Sequence, residues 1–588
     1  HALQNITIID PTCGSGAFLF AAMNILEPLY EVCIERMEQW HEENANLFKD
    51  ELEEINRKYR SNRQYFIYKS IILRNLYGVD LMVEATEIAK LRLFLKMVAV
   101  VDVNLREPNL GLDPLPDIDF NIRCGNTLVG YATEAELEKD LQYGDMFANL
   151  EFKSRVEDGM DKAARAFNIF KQVQLRQEDD MTAFKEAKQE LRSRLLSLSE
   201  TLNQRLYFAI GDGRPEYYEA WKNIHKPFHW LAEFYEIIHD NGGFDVIIGN
   251  PPYVSLSEVT YNIDKYSCKP CGDLYALCME RALCNLKNQT GTIGMIVPIS
   301  LTSTDGYSTL RKVLVESLDG CYLSNYGVRP SKLFDGVDKR LTIFISGKNG
   351  SYFNTKYYRW NSSERNTLFQ SLLYQKVSPN SLNISGYPKI STAVEASILN
   401  KLSKAKPLAS FTVKNSRFVV EYTRKLQYFI QFFVDPPLIF NEKNEVLKPS
   451  ELKKMFFDSK EVQERAIVLL NSSLFFWYFI AFSDCRNVNA REILCFPTNL
   501  DTLSTDSENH RLAEEMLSNL KDNSIFLNRN DKRAGRLRIQ SFQPRLSKTV
   551  ADKIDKLLSM HYGFTEEELD FILNYDIKYR LGDELNEE

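Results

Sequence analysis

The run Phe244-Asp245-Val246-Ile247-Ile248 passes straight into Gly249-Asn250-Pro251-Pro252-Tyr253, and no other stretch narrows the possible folds so far. A short apolar run bounded by turn residues reads as a strand buried on both faces, as in parallel sheets. Successive prolines have no backbone N–H to give to a ladder and fix φ, so the strand must stop there and continue as a rigid turn. A second unit of the same kind opens the chain. Ile6 to Ile9 read as a buried strand, Asp10 to Gly16 as a glycine turn and Ala17 to Met37 as a helix, which is the start of a β-α-β unit. Leu76 to Val79 predict a further strand ending at Asp80. The distance from Asp10 to Asp80 exceeds what one compact unit needs, so the charged residues 38 to 66 are expected to form a helical excursion.

The rest of the chain divides by pattern. Between Tyr131 and Asn241 the sequence is polar and helix-biased, with Phe184 to Leu206 carrying apolar residues at three-to-four spacing, which predicts a helical pair. Thr292 to Val297 and Leu341 to Ser346 predict two more strands, with a helix over Leu274 to Leu286. Beyond 350 Tyr, Phe, Asn, Ser and Lys prevail, until a helical pattern at Val462 to Phe482 and another at Thr549 to Tyr579. These shifts predict an α/β protein. Its doubly wound, Rossmann-like sheet is built from residues 1–130 and 244–350 and interrupted by a helical insert at 131–243. A C-terminal α+β domain at 351–500 and a helical segment at 501–588 follow.

With 588 residues the chain is too long for one core, and 44% hydrophobic residues with 36 Phe and 29 Tyr describe a folded protein, not a disordered one. A net charge of −8 argues against a polyanion-binding surface over the whole molecule; any nucleic-acid face must be local. No uninterrupted apolar run reaches the roughly 18 residues of a membrane span, and no signal stretch opens the chain, so a cytoplasmic protein is expected. Ten scattered cysteines fit a reducing compartment, and the lone pair Cys268 and Cys271 is read as unligated thiols rather than a zinc site. His1 in place of Met, with a strand beginning within ten residues, predicts that something precedes this sequence.

The two turns suggest chemistry. Gly14-Ser15-Gly16, after a strand and before a helix, lets the backbone approach a ligand whose polar groups meet the helix N-terminus. Asp80, at the next strand end, is placed either to accept both hydroxyls of a ribose or to cap a helix. Asn126, in Cys124-Gly125-Asn126-Thr127, reads equally as a turn residue or as a group facing an adenine ring. An exocyclic amine conjugated to an aromatic ring is a poor nucleophile. A site that methylates it must accept its two N–H hydrogens and leave the nitrogen facing the methyl group. The Asn250 side-chain oxygen and the Pro251 carbonyl can do this on a backbone that Pro251 and Pro252 stiffen, while Tyr253 offers a π-face to an extruded base.

Six blocks occur in order: D-P-T-C-G-S-G-A-F-L, the G-V-D strand end, N-I-R-C-G-N, F-D-V-I-I-G-N-P-P-Y, Asp273-Leu274-Tyr275 and Gly294-Met295-Ile296-Val297-Pro298. The chain resembles the gamma-class amino-methyltransferases of restriction-modification and phage-defence systems, of the type IIG and phage-exclusion kind. That resemblance implies an adenine-specific DNA methyltransferase that uses S-adenosyl-L-methionine and duplex DNA. It assigns the methionine part of the cofactor to Asp10, Thr12, Gly14 and Gly16, the ribose to Asp80 and the adenine to Asn126, an amide where the family usually has Asp. It matches a second base-stacking aromatic to Phe334. Val468 to Pro497 resembles the target-recognition half of fused methylases, and Leu569 to Arg580 resembles their ending; residues 474 to 482 also suit a core helix. Lys414, Arg417, Arg424, Lys425, Lys453 and Lys454 are candidate phosphate contacts. The family places a pocket-closing helix before the first block, where at most nine residues stand here. No nuclease motif occurs, so a nuclease domain or other defence-system subunits are expected outside this sequence.

Other activities share parts of this pattern. Glutamine N5-methyltransferases also use N-P-P-Y but are much shorter chains, and an RNA adenine methyltransferase or a cofactor-binding DNA sensor without turnover would keep the same turns.

Overall fold

The computed structural model describes residues 1–58, 62–103, 115–142, 146–176, 181–211, 213–426, 428–447, 449, 452–531 and 535–581. The chain forms two compact units. The first comprises residues 1–297, 312–318 and 344–346, and the second residues 298–311, 319–343 and 347–588.

The first unit is built on five strands: Ile8–Asp10 (β1), Leu76–Asp80 (β2), Ile122–Cys124 (β3), Phe244–Gly249 (β4) and Lys287–Pro298 (β5). Their order is β3-β2-β1-β4-β5, and every pairing between them is parallel. The sequence runs β1, β2, β3 to one side and β4, β5 to the other. The order therefore reverses between β1 and β4, where ligands bind in open α/β sheets. The helices Ala17–Glu43 (α1), Arg63–Arg74 (α2) and Val83–Val98 (α3) cover the sheet, α1 burying Leu19, Met23, Leu26, Tyr30 and Ile34 among Tyr68, Ile71, Leu76 and Leu93. This periodicity of three and four is what makes the segment helical. The insert contains the long helices Met146–Arg176 (α4) and Met181–Ile210 (α5), packed on one another as the Phe184 to Leu206 pattern predicts. The helix Leu274–Arg281 (α6) passes into a wider turn, Ala282–Leu286, before β5. A four-residue helix, Ala2–Asn5, precedes β1.

Among the described residues one helix, α1, is long and apolar enough by composition to cross a membrane. Glu27 and Glu31 interrupt it, which is why no uninterrupted run is visible in the sequence, and one of its faces is part of the core just described.

The second unit is α+β. The strand Asp319–Tyr326 (β6) pairs in parallel with Lys348–Tyr358 (β8), which pairs antiparallel with Gln375–Val377 (β9); Leu341–Ser346 (β7) spans the division between the units. Strand formation therefore continues past residue 350, where Tyr, Phe and Thr, all strand formers, are frequent. Phe418–Thr423 (β10), Phe432–Phe433 (β11) and Leu452–Phe457 (β14) form one small antiparallel sheet, in the order β11-β10-β14. Ile439–Phe440 (β12), Val446–Leu447 (β13), Ile525–Asp531 (β15) and Gly535–Ser541 (β16) form another, in the order β13-β12-β16-β15. Residues 501–588 are thus not helical throughout: the β15/β16 ribbon stands between the helices Asp506–Asp522 (α9) and Lys548–Tyr562 (α10).

The apolar run at 474 to 482 is a core helix. Ser473–Phe482 (α8) is buried at all ten positions and follows Lys460–Leu470 (α7) across a 69° bend. Ser472 caps α8 by accepting from the Phe475 N–H, and the Ser473 and Leu474 N–H groups donate to the buried Asp555 on α10. The N-terminal donors of a buried helix need such partners.

Candidate functional site

Parallel pairing brings the carboxyl ends of β1 to β4 to one edge of the first unit, so both turns lie there. β1 and β4 are neighbours, with Ile8 opposite Val246 and Ile9 opposite Ile247. A Cβ on Gly249 would fall 2.8 Å from Asp10 Oδ1 and 3.6 Å from Thr12 Oγ1. The N-P-P-Y turn and the first glycine turn therefore abut with no side chain between them, and only glycine fits at 249.

Asp10 is 1% exposed and accepts from the Thr12 N–H at 3.0 Å. Burial pushes its carboxyl group up to about 7; the Thr12 N–H opposes the rise and the negative charge of Asp80 adds to it. Thr12 Oγ1 is buried beside it without a well-formed hydrogen bond. Gly14 has φ +51°, and the space a Cβ would take there is open, which leaves its backbone approachable. At Gly16, φ +75°, a Cβ would press to 2.9 Å from the Ala89 Cβ, so this glycine also lets α1 and α3 cross closely. Asp80 accepts from the Gly14 N–H at 2.9 Å through one oxygen and from the Met82 N–H at 2.9 Å through the other. It fixes the glycine turn and turns the chain into α3, with lone pairs remaining on both oxygens. Asn126 is buried; its Oδ1 accepts from the Leu128 N–H, and its Nδ2 lies beside the Tyr261 hydroxyl without a well-formed hydrogen bond.

Asn250 is exposed at the end of β4, Pro251 is buried and Pro252 exposed. The Tyr253 hydroxyl donates to Asn250 Oδ1 and lies 3.0 Å from the Ile296 carbonyl. Its ring meets Tyr275 edge-on at 6.5 Å, and burial raises its pKa. Phe334 lies half-buried in a loop of the second unit.

A charged cluster around the buried Arg281, which no sequence motif signals, holds the Asn126 loop. Arg281 is 0% exposed and pairs with Glu136 at 2.5 Å, while Lys265 reaches Glu136 at 3.3 Å. Between them these cations meet the loop's carbonyls, Lys265 at Gly130 (2.8 Å) and Arg281 at both Leu128 (3.4 Å) and Gly130 (3.3 Å). The Tyr266 hydroxyl also donates to Leu128, Trp230 Nε1 donates to the Thr127 carbonyl, and the Thr127 hydroxyl donates to Pro11. Desolvation, with Arg281 beside it, brings the Lys265 ammonium down to about 7 against the pull of Glu136. Glu136 belongs to the insert, Lys265 and Arg281 to the segment after N-P-P-Y. No local spacing signals that pairing.

In the second unit a cavity of about 1050 Å³ is lined by nine Lys and Arg side chains and one carboxylate, that of Asp338. Arg424, Lys425 and Lys453, three of the candidate phosphate contacts, are exposed and line it. Lys454 instead pairs with Glu421 at 2.7 Å, Arg417 stacks over Phe418, and Lys414 is exposed elsewhere.

Comparison with known proteins agrees with this architecture. Residues 74–327 match the family model of the Eco57I restriction-modification methylase, and residues 1–138 match that of the MmeI DNA-methyltransferase domain. A protein of Methanocaldococcus jannaschii described as a type II restriction enzyme and methyltransferase is 31% identical over 354 residues, which is 53% of this chain and 27% of that protein. The chain thus spans about a quarter of that relative's length. Among solved structures, the type IIL restriction-modification enzyme MmeI in complex with DNA aligns over 98% of this chain and 73% of its own, at 12% identity and a TM-score of 0.44. The DrdV–DNA complex aligns over 64% and 27%, at 13% identity and a TM-score of 0.30. Residues 1–327 thus match, between the two models, methyltransferase domains of restriction-modification enzymes.

Proposed function

We propose that this chain transfers a methyl group from S-adenosylmethionine to the N6 amino group of an adenine flipped out of duplex DNA, as the modification step of a restriction or defence system. The abutment of the two turns carries this reading: Gly249, which leads into Asn250, lies against Asp10 and Thr12 with space for nothing larger than hydrogen between them. Groups that hold a methyl donor and groups that hold its acceptor need that adjacency.

The residues present suit the cofactor. Thr12 Oγ1 and Asn126 Nδ2 are buried polar atoms without well-formed partners, and the Gly14 backbone borders open space. Asp10 and Thr12 would meet the methionine part, Asp80 the ribose and Asn126 Nδ2 an acceptor on the adenine ring; when bound, the group supplies an activated methyl. Asn250 Oδ1 would exchange the Tyr253 hydroxyl for an N–H of the target amine, the Pro251 carbonyl would take the other, and the nitrogen lone pair would be freed from the ring. Tyr253 and Phe334 would stack on the extruded base. The basic cavity of the second unit supports DNA as the partner, since phosphates are met by clustered Lys and Arg even on a chain of net charge −8. Residues 1–130 and 244–350 would carry the chemistry, 131–243 would brace it, and 351–500 would select the site.

Sequencing DNA from cells that express the protein, with detection of N6-methyladenine, tests this. A single modified motif, absent with Asn250→Ala, is expected. Modified cytosine, or unmodified DNA from an expressed and folded protein, would overturn the assignment.

A further inference from the structure

The β15/β16 ribbon has a composition that its place in the fold does not require. Ile525–Asp531 and Gly535–Ser541 pair antiparallel in unbroken register, from Ile525 opposite Ser541 to Asp531 opposite Gly535. Residues directly opposite one another share a face. One face therefore presents Phe526, Asn528 and Asn530 with Gln540, Arg538 and Arg536, and the other presents Ile525, Leu527 and Arg529 with Ile539 and Leu537.

On the first face Gln540 is occupied by the frame: its amide donates to Ser524 Oγ and accepts from the Leu438 N–H. Arg538 lies over the Phe526 ring at 4.4 Å, which holds its guanidinium in place. Asn528, Asn530 and Arg536 are exposed. Every residue of the outer strand β15 is exposed, with Ile525, Phe526 and Leu527 at 47%, 40% and 49%. Long edge strands in soluble proteins are usually kept safe by charged residues, Pro or a bulge; β15 carries Arg529 and Asp531 in its second half but exposes three large apolar side chains in succession in its first.

A two-stranded ribbon fits the major groove, which is about 12 Å wide, and amides and guanidinium groups are the side chains that make paired hydrogen bonds to adenine and guanine edges there. The base of the ribbon runs directly into the basic cavity, whose lining includes Ser541, Phe542 and Arg545. We propose that the strands β15 and β16 enter the major groove of duplex DNA and read base edges through Asn528, Asn530, Arg536 and Arg538, while the adjoining cavity holds the phosphate backbone. This rests on DNA being the partner. It goes further in dividing base reading from phosphate holding and giving the first to a segment outside the 351–500 region that the sequence pattern favoured.

Selection by the full chain from a pool of duplexes with a randomised core separates the two ideas without depending on methyl transfer. The wild-type chain is expected to enrich one motif. Asn528→Ala, Asn530→Ala, Arg536→Ala and Arg538→Ala, each checked for an unchanged melting temperature, should each lose preference at one or two base pairs by roughly tenfold or more, with random-sequence affinity little changed. Lys453→Ala should keep the motif and weaken binding to all sequences, lowering the salt slope by about 1. Arg536→Lys, which keeps the charge and loses the fork, should relax the motif as Arg536→Ala does. An unchanged motif in all four alanine variants, or restoration by Arg536→Lys, would overturn the ribbon proposal alone. A wild-type chain that enriches no sequence would overturn DNA recognition itself, and the ribbon with it.

Discussion

The edge of the first unit and the basic cavity of the second are assembled in opposite ways. At the edge, each functional group sits within a few residues of a strand end, and the parallel sheet alone brings Asp10, Asp80, Asn126 and Asn250 to one level. The cavity collects its cations from residues as far apart as Arg329 and Arg580, and its surroundings from two small antiparallel sheets and the helices between them. Chemistry that requires backbone groups at fixed positions is written as short motifs. Recognition that requires a charged concavity with a reader beside it can be composed from any segments that fold together, and leaves no motif.

The comparison can be broken by substitution, and the largest effect should come from a residue in no motif. Arg281→Met would leave the half-buried Glu136 with Lys265 alone and would remove charged hydrogen bonds to Glu136 and to the Leu128 and Gly130 carbonyls, at a cost of about 3–5 kcal/mol; chemical denaturation of the purified chain measures it. A loss below about 1 kcal/mol would mean that the Asn126 loop holds itself. Asn250→Ala comes next. It should slow methyl transfer roughly a hundredfold to a thousandfold in single-turnover experiments while DNA affinity stays within error. Tyr253→Ala and Phe334→Ala should each give up roughly 1–3 kcal/mol of base stacking, visible as a smaller rise in 2-aminopurine fluorescence at the target position. If only Tyr253→Ala responds, Phe334 is not the second stacking group.

The gentlest expected effect is a slope. Because the Asp10 carboxyl group titrates at about 7 when folded, well above its ordinary value of 3.8, the folded chain holds this proton where the unfolded chain has released it. The stability it contributes is fully present below the ordinary carboxylate range and is lost as pH rises through about 7. Asp10→Asn should flatten that fall. Lys265 gives the opposite sign: its folded value is depressed to about 7, so its contribution is present above the ordinary lysine range and is lost as pH falls through about 7.

The sequence made the first unit readable almost to its boundaries. Apolar runs ending in Asp, Gly or Pro can only be buried strands with abrupt stops, and β2, β4 and β7 begin where the pattern predicts. Gly16 shows the limit: its hydrogen faces Ala89, and a glycine that serves close helix packing has the same spacing as one that serves a ligand alone, so the packing contact is not legible in the motif. The carbonyl-holding cluster was hidden because Glu136 and Lys265 stand 129 positions apart. The ribbon was hidden for another reason. Its alternation is of amide and guanidinium against apolar residues, in a stretch so polar that it reads as loop.

The order of the chain between residues 297 and 347 bears on how such a protein changes over generations. The backbone passes from one compact unit to the other five times, leaving residues 298–311 and 319–343 in the second and 312–318 and 344–346 in the first. A single genetic crossover anywhere in this stretch leaves at least one unit assembled from both parents. Exchanging whole units therefore demands several coincident breakpoints. Point replacement within a contiguous surface segment demands none. A lineage of this architecture is expected to diversify by accumulating single substitutions on exposed segments such as 525–531, with the interleaved stretch inherited as a block.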